Sequence, residues 1–295
     1  MYIVKQVVSM QPASICISGG EPLVRKDFFD IVNYIRSNYS KRLTLMTNAT
    51  LINENIAKFI AEKFDSVDVS IDGYDEESCK LLRGEGTFEK CIRGIKNLQA
   101  EGMTKISASM VVFKGNEDAK PEFRKLCDSL GIYPIFRALS NVGRAKNGLE
   151  TSLVEDVEIS KEQIKHNFCK YEMWNDTLMS MGCQGARIEF QISHTGDIFP
   201  CGALMEDEFI MGNVLKIGDL KEYLEFGKYK ESTGYKHFIS YMPTNLEHCE
   251  KCDYNLLCFT CVSEIRDKIN NNTIYKNCEK DKYRYSLYWE NYESI

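Results

Sequence analysis

The sequence predicts an α/β fold: an open or partial barrel of parallel strands, followed by a small cysteine-rich domain that contains a β-hairpin. Three observations carry this expectation. Strand and helix patterns alternate regularly over residues 1–139, which requires a parallel sheet with crossover helices. Two of those strands carry a polar face opposite an apolar one, whereas central strands of a flat doubly wound sheet are apolar on both sides. A polar inner face suits an open or partial barrel with a ligand in its lumen. Third, seven of the 12 cysteines lie between Cys183 and Cys278.

A chain of 295 residues, 43% hydrophobic and 27% charged, can bury a large core and is not disordered. Its net charge of −6 argues against coating nucleic acid. No apolar run reaches membrane-spanning length, and the first residues, Met1 to Val8, lack the basic segment and long apolar core of an export signal. The default expectation is therefore a cytoplasmic chain with no nucleic-acid or membrane partner. In a reducing compartment, clustered thiols point to metal or iron–sulfur ligation rather than disulfides.

The front half reads in order as follows. Ile3, Val4, Val7 and Val8 have helical spacing and feed a strand at 14–18. That strand stops at Gly19-Gly20-Glu21-Pro22, a sharp turn where a ligand can approach the main chain without meeting a Cβ. A helix over 26–37 buries Phe28, Ile31, Val32 and Ile35, and a strand over 42–47 ends in Thr47-Asn48. The helix over 54–64 carries Ile56, Phe59, Ile60 and Phe64. Residues 66–72 alternate strictly, with Val67, Val69 and Ile71 on one face and Asp68, Ser70 and Asp72 on the other. For those aspartates, strand-end solvation is the alternative to a lumen role. Helices over 75–82 and 88–100, a strand over 105–113, a helix over 118–130 and a strand over 132–139 complete the run.

Residues 140–158 read as the end of the first domain, with Gly143-Arg144-Ala145 near the strand mouths. Ser160 and Gln163 make a capping box for a helix running toward Met181. Behind it, Cys183 precedes a hairpin with strands at 187–193 and 197–200 around His194-Thr195-Gly196-Asp197, and Cys201 ends that hairpin. Cys249, Cys252, Cys258 and Cys261 follow within thirteen residues, then Cys278. Thiolates this close repel one another unless a cation takes up the charge. Seven ligands exceed the four of one zinc and suit two sites, with two four-iron clusters as the leading reading and zinc as the alternative.

These motifs, in this order, resemble the radical S-adenosylmethionine (SAM) enzymes that carry a C-terminal SPASM domain. The resemblance runs through Gly19-Gly20-Glu21-Pro22, Thr47-Asn48, Ser70-Ile71-Asp72-Gly73, Leu82-Arg83-Gly84, Gly143-Arg144-Ala145, the unit from Cys183 through Gly196 to Cys201, and the four-cysteine run after it. It implies a SAM site at Gly19, Gly20, Glu21, Pro22, Asn48, Ser70, Asp72 and Arg83. It implies two auxiliary 4Fe-4S clusters, one on Cys249, Cys252, Cys258 and Cys278, the other on Cys183, Cys201 and Cys261. The latter lacks a fourth cysteine close by, the nearest being Cys169, fourteen residues upstream of Cys183. The implied domains are an incomplete (β/α)6-type partial barrel at 1–146, a linker and helix at 147–182, a SPASM auxiliary-cluster domain at 183–280 and a tail at 281–295.

By the same resemblance the activity is reductive cleavage of SAM and hydrogen abstraction from a peptide or protein substrate. The implied electron donor is a flavodoxin or ferredoxin, and the open barrel edge is free to pair with another chain. Three features depart from the family. The defining Cys-x3-Cys-x2-Cys occurs nowhere in the sequence, so the chain is expected to be a fragment that holds SAM weakly and does not cleave it. Cys258 and Cys261 have two residues between them where the family usually has three. Gly202 stands where the sulfatase-maturing branch usually has an aspartate, which favours other peptide substrates. The competing expectation is a non-catalytic iron–sulfur carrier or partner-binding protein on a degenerate barrel.

Overall fold

The computed structural model describes residues 1–113, 116–138, 183–255, 258, 261–270, 278, 282, 283 and 286. These fall in two compact units, one within residues 1–138 and the other from residue 183 onward. The expected helix from Ser160 toward Met181, the Gly143-Arg144-Ala145 segment, Cys169 and most of the tail lie outside the described residues.

In the first unit, helix α1 (Tyr2–Ser9) leads to strand β1 (Ser14–Ile17), followed by α2 (Phe28–Asn38), β2 (Arg42–Thr47), α3 (Glu54–Lys63) and β3 (Ser66–Ser70). Then come α4 (Glu76–Arg83), α5 (Thr87–Ala100), β4 (Ile106–Val112), α6 (Lys120–Leu130) and β5 (Tyr133–Ala138). Two of these helices, α3 and α4, start where side chains take up their unpaired first N–H groups. Asn53 accepts from the Ile56 N–H at 2.9 Å to open α3, and Asp75 and Ser78 close a reciprocal capping box at α4. Gly131, at φ 66°, ends α6 in the left-handed conformation that glycine adopts at least cost.

The five strands form one parallel sheet in the order β1-β2-β3-β4-β5. One face presents Leu43, Leu45, Val67, Val69, Ala108 and Met110, all buried in a core completed by Val32, Ile60, Ile95, Leu98 and Phe123 from the helices. The opposite face is polar, and the register sets its residues side by side. Cys16 pairs with Thr44 and Thr44 with Ser66. Asp68 pairs with Ser107, and Ser70 with Ser109. The sheet is thus sided as a partial barrel requires, apolar toward the helices and polar toward the lumen.

The second unit is irregular. Strands β6 (Gln191–Ile192) and β7 (Asp197–Phe199) form the antiparallel hairpin, and β8 (Gly212–Asn213) adds a third strand. Helices α7 (Leu220–Glu225), α8 (Thr233–Ser240) and α9 (Val262–Asn270) follow. The first hairpin strand is shorter than the expected 187–193. The Gln184 carbonyl accepts from the N–H groups of Arg187, Ile188 and Glu189, and this tight turn takes those residues out of the ladder. Asn213 locks the third strand onto the hairpin, its Nδ2 donating to Asp197 Oδ1 at 2.7 Å. Tyr229 donates its hydroxyl to the Ala186 carbonyl at 2.8 Å, tying the stretch after Cys183 to this core.

Candidate functional site

The parallel strands deliver a cluster of polar groups to one end of the sheet. After β1 the chain turns through Gly19, whose φ of 146° suits glycine, and then Gly20. Both are exposed, and a Cβ on either would meet nothing within 4 Å, so open space adjoins this backbone. Pro22, which follows Glu21, is buried.

Glu21 is held rather than free. Its Oε1 accepts from the Thr47 hydroxyl at 2.7 Å and from the Leu23 N–H at 3.2 Å, and its Oε2 accepts from the Asn48 N–H at 2.7 Å. The carboxylate therefore pins the turn after β1 to the end of β2. Asn48 is engaged locally, its Oδ1 accepting from the N–H and the hydroxyl of Thr50. Ala49, at φ 57°, then reverses the chain, and its carbonyl lies so close to Gly94 of α5 that a Cβ there would collide with it. The Cys91 thiol donates to the Asn48 carbonyl at 2.8 Å.

Asp72 lies just past β3, at φ 64° and 4% exposed. Its Oδ2 accepts from Arg83 Nε and pairs with Nη2, both at 2.5 Å, while Oδ1 accepts from the Val111 N–H at 2.6 Å. A buried carboxylate needs such partners, and the charge-assisted fork from arginine is the strongest available. Ser70, two residues earlier, is half-buried on the polar face beside Ser109. Of the residues expected to bind a ligand, Glu21 joins Asn48 and Asp72 joins Arg83, while Gly19, Gly20 and Ser70 border them at strand ends.

The sequence reading missed a second ion pair on this face. Arg137 Nη2 on β5 reaches Asp68 Oδ2 on β3 at 2.5 Å, spanning β4. Asp68 Oδ1 is buried without a hydrogen-bond partner among the described residues. The strict alternation over 66–72 put Asp68 on the polar face, leaving a lumen role and strand-end solvation both open, and nothing local in the sequence pairs it with a residue 69 positions away.

The cysteines of the second unit gather in two groups. Cys183, Cys201 and Cys261 come from three separate stretches and sit close enough to influence one another. Burial pushes the Cys201 thiol up to about 11, with the N–H groups of Ala203 and Leu204 pulling it down and Cys183 and Cys261 pushing it further up. Cys183 is raised by burial first, opposed by the N–H groups of Gly185 and Val262 and reinforced by Cys261. Val262 is the first residue of α9, so an otherwise unpaired helix N–H points at sulfur. Such donors suit a thiolate that carries charge to a metal.

Cys249, Cys252, Cys258 and Cys278 form the other group. They line one cavity of about 160 Å³, several times the roughly 30 Å³ that a water occupies in the liquid. The Cys249 thiol is raised by burial and then by Cys258, Cys278 and Cys252. Among the described residues, no three His, Cys, Asp or Glu side chains converge as they would on a single metal ion. The four thiols line one space, and an all-sulfur donor set suits zinc or an iron–sulfur cluster.

The chain is similar to known proteins in sequence and in fold. Residues 1–127 match the family model of the Radical SAM superfamily. The chain is 27% identical over 236 residues to the Mycofactocin maturase MftC of Mycolicibacterium smegmatis, covering 73% of this chain and 59% of that protein. It thus spans about three fifths of that relative's length. Among solved structures, native anSMEcpe with bound AdoMet and Cp18Cys peptide aligns at a TM-score of 0.61 and 22% identity, covering 87% of this chain and 78% of that one. Streptococcus suis SuiB aligns at 0.62 and 18% identity, covering 90% and 68%. At such identities the structural likeness establishes the fold.

Proposed function

We propose that this chain, whose residues 1–127 match the Radical SAM superfamily model, is a radical SAM protein and part of a peptide- or protein-modifying maturase. In this reading the first unit supplies a SAM site and the second unit two auxiliary 4Fe-4S clusters, together a SPASM domain. The observation that carries it is the sorting of seven cysteines, distant in sequence, into a group of three and a group of four. Relatives named as a maturase and as a peptide-bound structure support a peptide substrate.

The chain's own residues divide the work. Exposed Gly19 and Gly20 offer main-chain acceptors to an ammonium group, at a turn that Glu21 fixes to β2. Ser70 presents a hydroxyl to a ribose. Arg83, oriented by Asp72, supplies positive charge toward a carboxylate. Cys249, Cys252, Cys258 and Cys278 would hold one cluster, and Cys183, Cys201 and Cys261 the other. When bound, these clusters supply one-electron chemistry or an anchoring iron. A flavodoxin or ferredoxin as electron donor, pairing with another chain at the open sheet edge, and a cytoplasmic setting belong to the same reading. Among the described residues, no helix is long and apolar enough to cross a membrane.

The 295 residues contain no Cys-x3-Cys-x2-Cys. On these residues alone we expect weak SAM binding and no SAM cleavage. A second reading is a non-catalytic iron–sulfur carrier or partner-binding protein. The test is anaerobic reconstitution with iron and sulfide, then dithionite and SAM. The proposal expects about eight irons and no deoxyadenosine until a segment carrying the cysteine triad is joined in frame. Deoxyadenosine still absent after that joining favours the carrier. A colourless protein with about one or two zincs overturns both.

A further inference from the structure

The cavity lined by Cys249, Cys252, Cys258 and Cys278 is also lined by Lys251, Lys268 and Lys282. No carboxylate among the described residues lines it. Three side chains of like charge thus share one lining, in a chain whose net charge is −6. His248 adds a ring nitrogen 3.9 Å from Cys278 Sγ. The lysines come from three places in the chain, Lys251 between two of the cysteines, Lys268 on α9 and Lys282 beyond Cys278, so the fold has gathered them. The lining otherwise includes apolar Leu246 and Ile265. Such surroundings lower the local dielectric response and strengthen each charge's effect.

We infer that Lys251, Lys268 and Lys282 set the reduction potential of the group held by these four cysteines, raising it. The inference rests on the cluster reading above. An iron–sulfur cluster on four thiolates is a net anion and gains a further negative charge when it takes up one electron. Nearby ammonium groups stabilise the reduced form more than the oxidised form, and net charge is one of the determinants of cluster potential. The lysines act through the cluster's electrostatic surroundings and are not ligands. No bond or proton moves in this step; one electron passes from an external reductant to the cluster.

The test is a redox titration with dithionite, followed by electron paramagnetic resonance, on the reconstituted full chain. Wild type is compared with Lys251→Gln, Lys268→Gln, Lys282→Gln, the triple variant and the corresponding arginine variants. The inference expects one of the two reducible signals to move to more negative potential, further with each lysine lost, while the other stays. Arginine should hold the wild-type value, since it keeps the charge. Unchanged midpoints in iron-loaded glutamine variants overturn the inference and leave the cluster reading intact. A wild-type protein that takes up no iron overturns the cluster reading and the inference with it. Single variants keep the test decisive should the triple variant fail to fold.

Discussion

Glu21 in the turn after β1 and Thr47 at the end of β2 are joined by a 2.7 Å hydrogen bond, the hydroxyl donating to Oε1. Thr47 is 3% exposed, so its hydroxyl has little access to water when this partner is lost. Thr47→Val keeps the shape and removes the donor, leaving one carboxylate oxygen with only the weaker 3.2 Å bond from Leu23. The expected loss of stability is about 1–3 kcal/mol, read by urea unfolding. Thr47→Ser should retain most of the bond.

Arg83 and Asp72 form the more costly pair to break. Removing the arginine strands a carboxylate that is 4% exposed. Arg83→Leu should destabilise the first unit by about 3–5 kcal/mol. Arg83→Leu combined with Asp72→Asn should cost less than the sum of the two changes. A double-mutant cycle on thermal unfolding measures the difference, and strict additivity would count against the coupling.

Gly94 lets α5 pass close over the turn that carries Asn48 and Ala49. A Cβ at Gly94 would run into the Ala49 carbonyl. Gly94→Ala should therefore destabilise by about 1–3 kcal/mol despite alanine's better helix propensity. The chemical denaturation midpoint should fall, and crystals or amide spectra should place the perturbation at the β2 turn.

Three buried thiols should be inert in the folded protein. Burial pushes Cys79 and Cys127 up to about 11 and Cys91 up to about 12, from an ordinary 9.0. At pH 8, iodoacetamide should leave them unlabelled until denaturant is added, as read by peptide mass spectrometry. The pH dependence follows in sign. These acids lose their protons more readily when unfolded, so above pH 9.0 the unfolded state binds fewer protons. Stability should fall as pH rises from there toward about 11.

Much of the barrel half was legible because its elements are long and periodic. The strict alternation over 66–72 placed Asp68 and Ser70 on the polar face, where the register puts them beside Ser107 and Ser109. Asp72 sits beyond the strand, because its left-handed backbone turns the carboxylate toward Val111 and Arg83. The third strand of the second unit, Gly212–Asn213, is two residues long and carries no periodic signal. The tie between Glu21 and Thr47 joins residues 26 apart, and the Arg137–Asp68 pair joins strands separated by β4. Such contacts arise from sheet register, which local pattern does not encode. The lysines around the four-thiol cavity were invisible for the same reason.

The most direct test of the account is the iron content of two reconstituted variants beside wild type. Cys249→Ala with Cys252→Ala removes ligands from the four-thiol cavity, and Cys201→Ala removes one from the other group. The account predicts about eight irons per wild-type chain and about four in each variant, with different residual Mössbauer spectra. Wild type carrying zinc alone, or either variant losing all its iron while the protein stays folded, would contradict the assignment of two independent clusters.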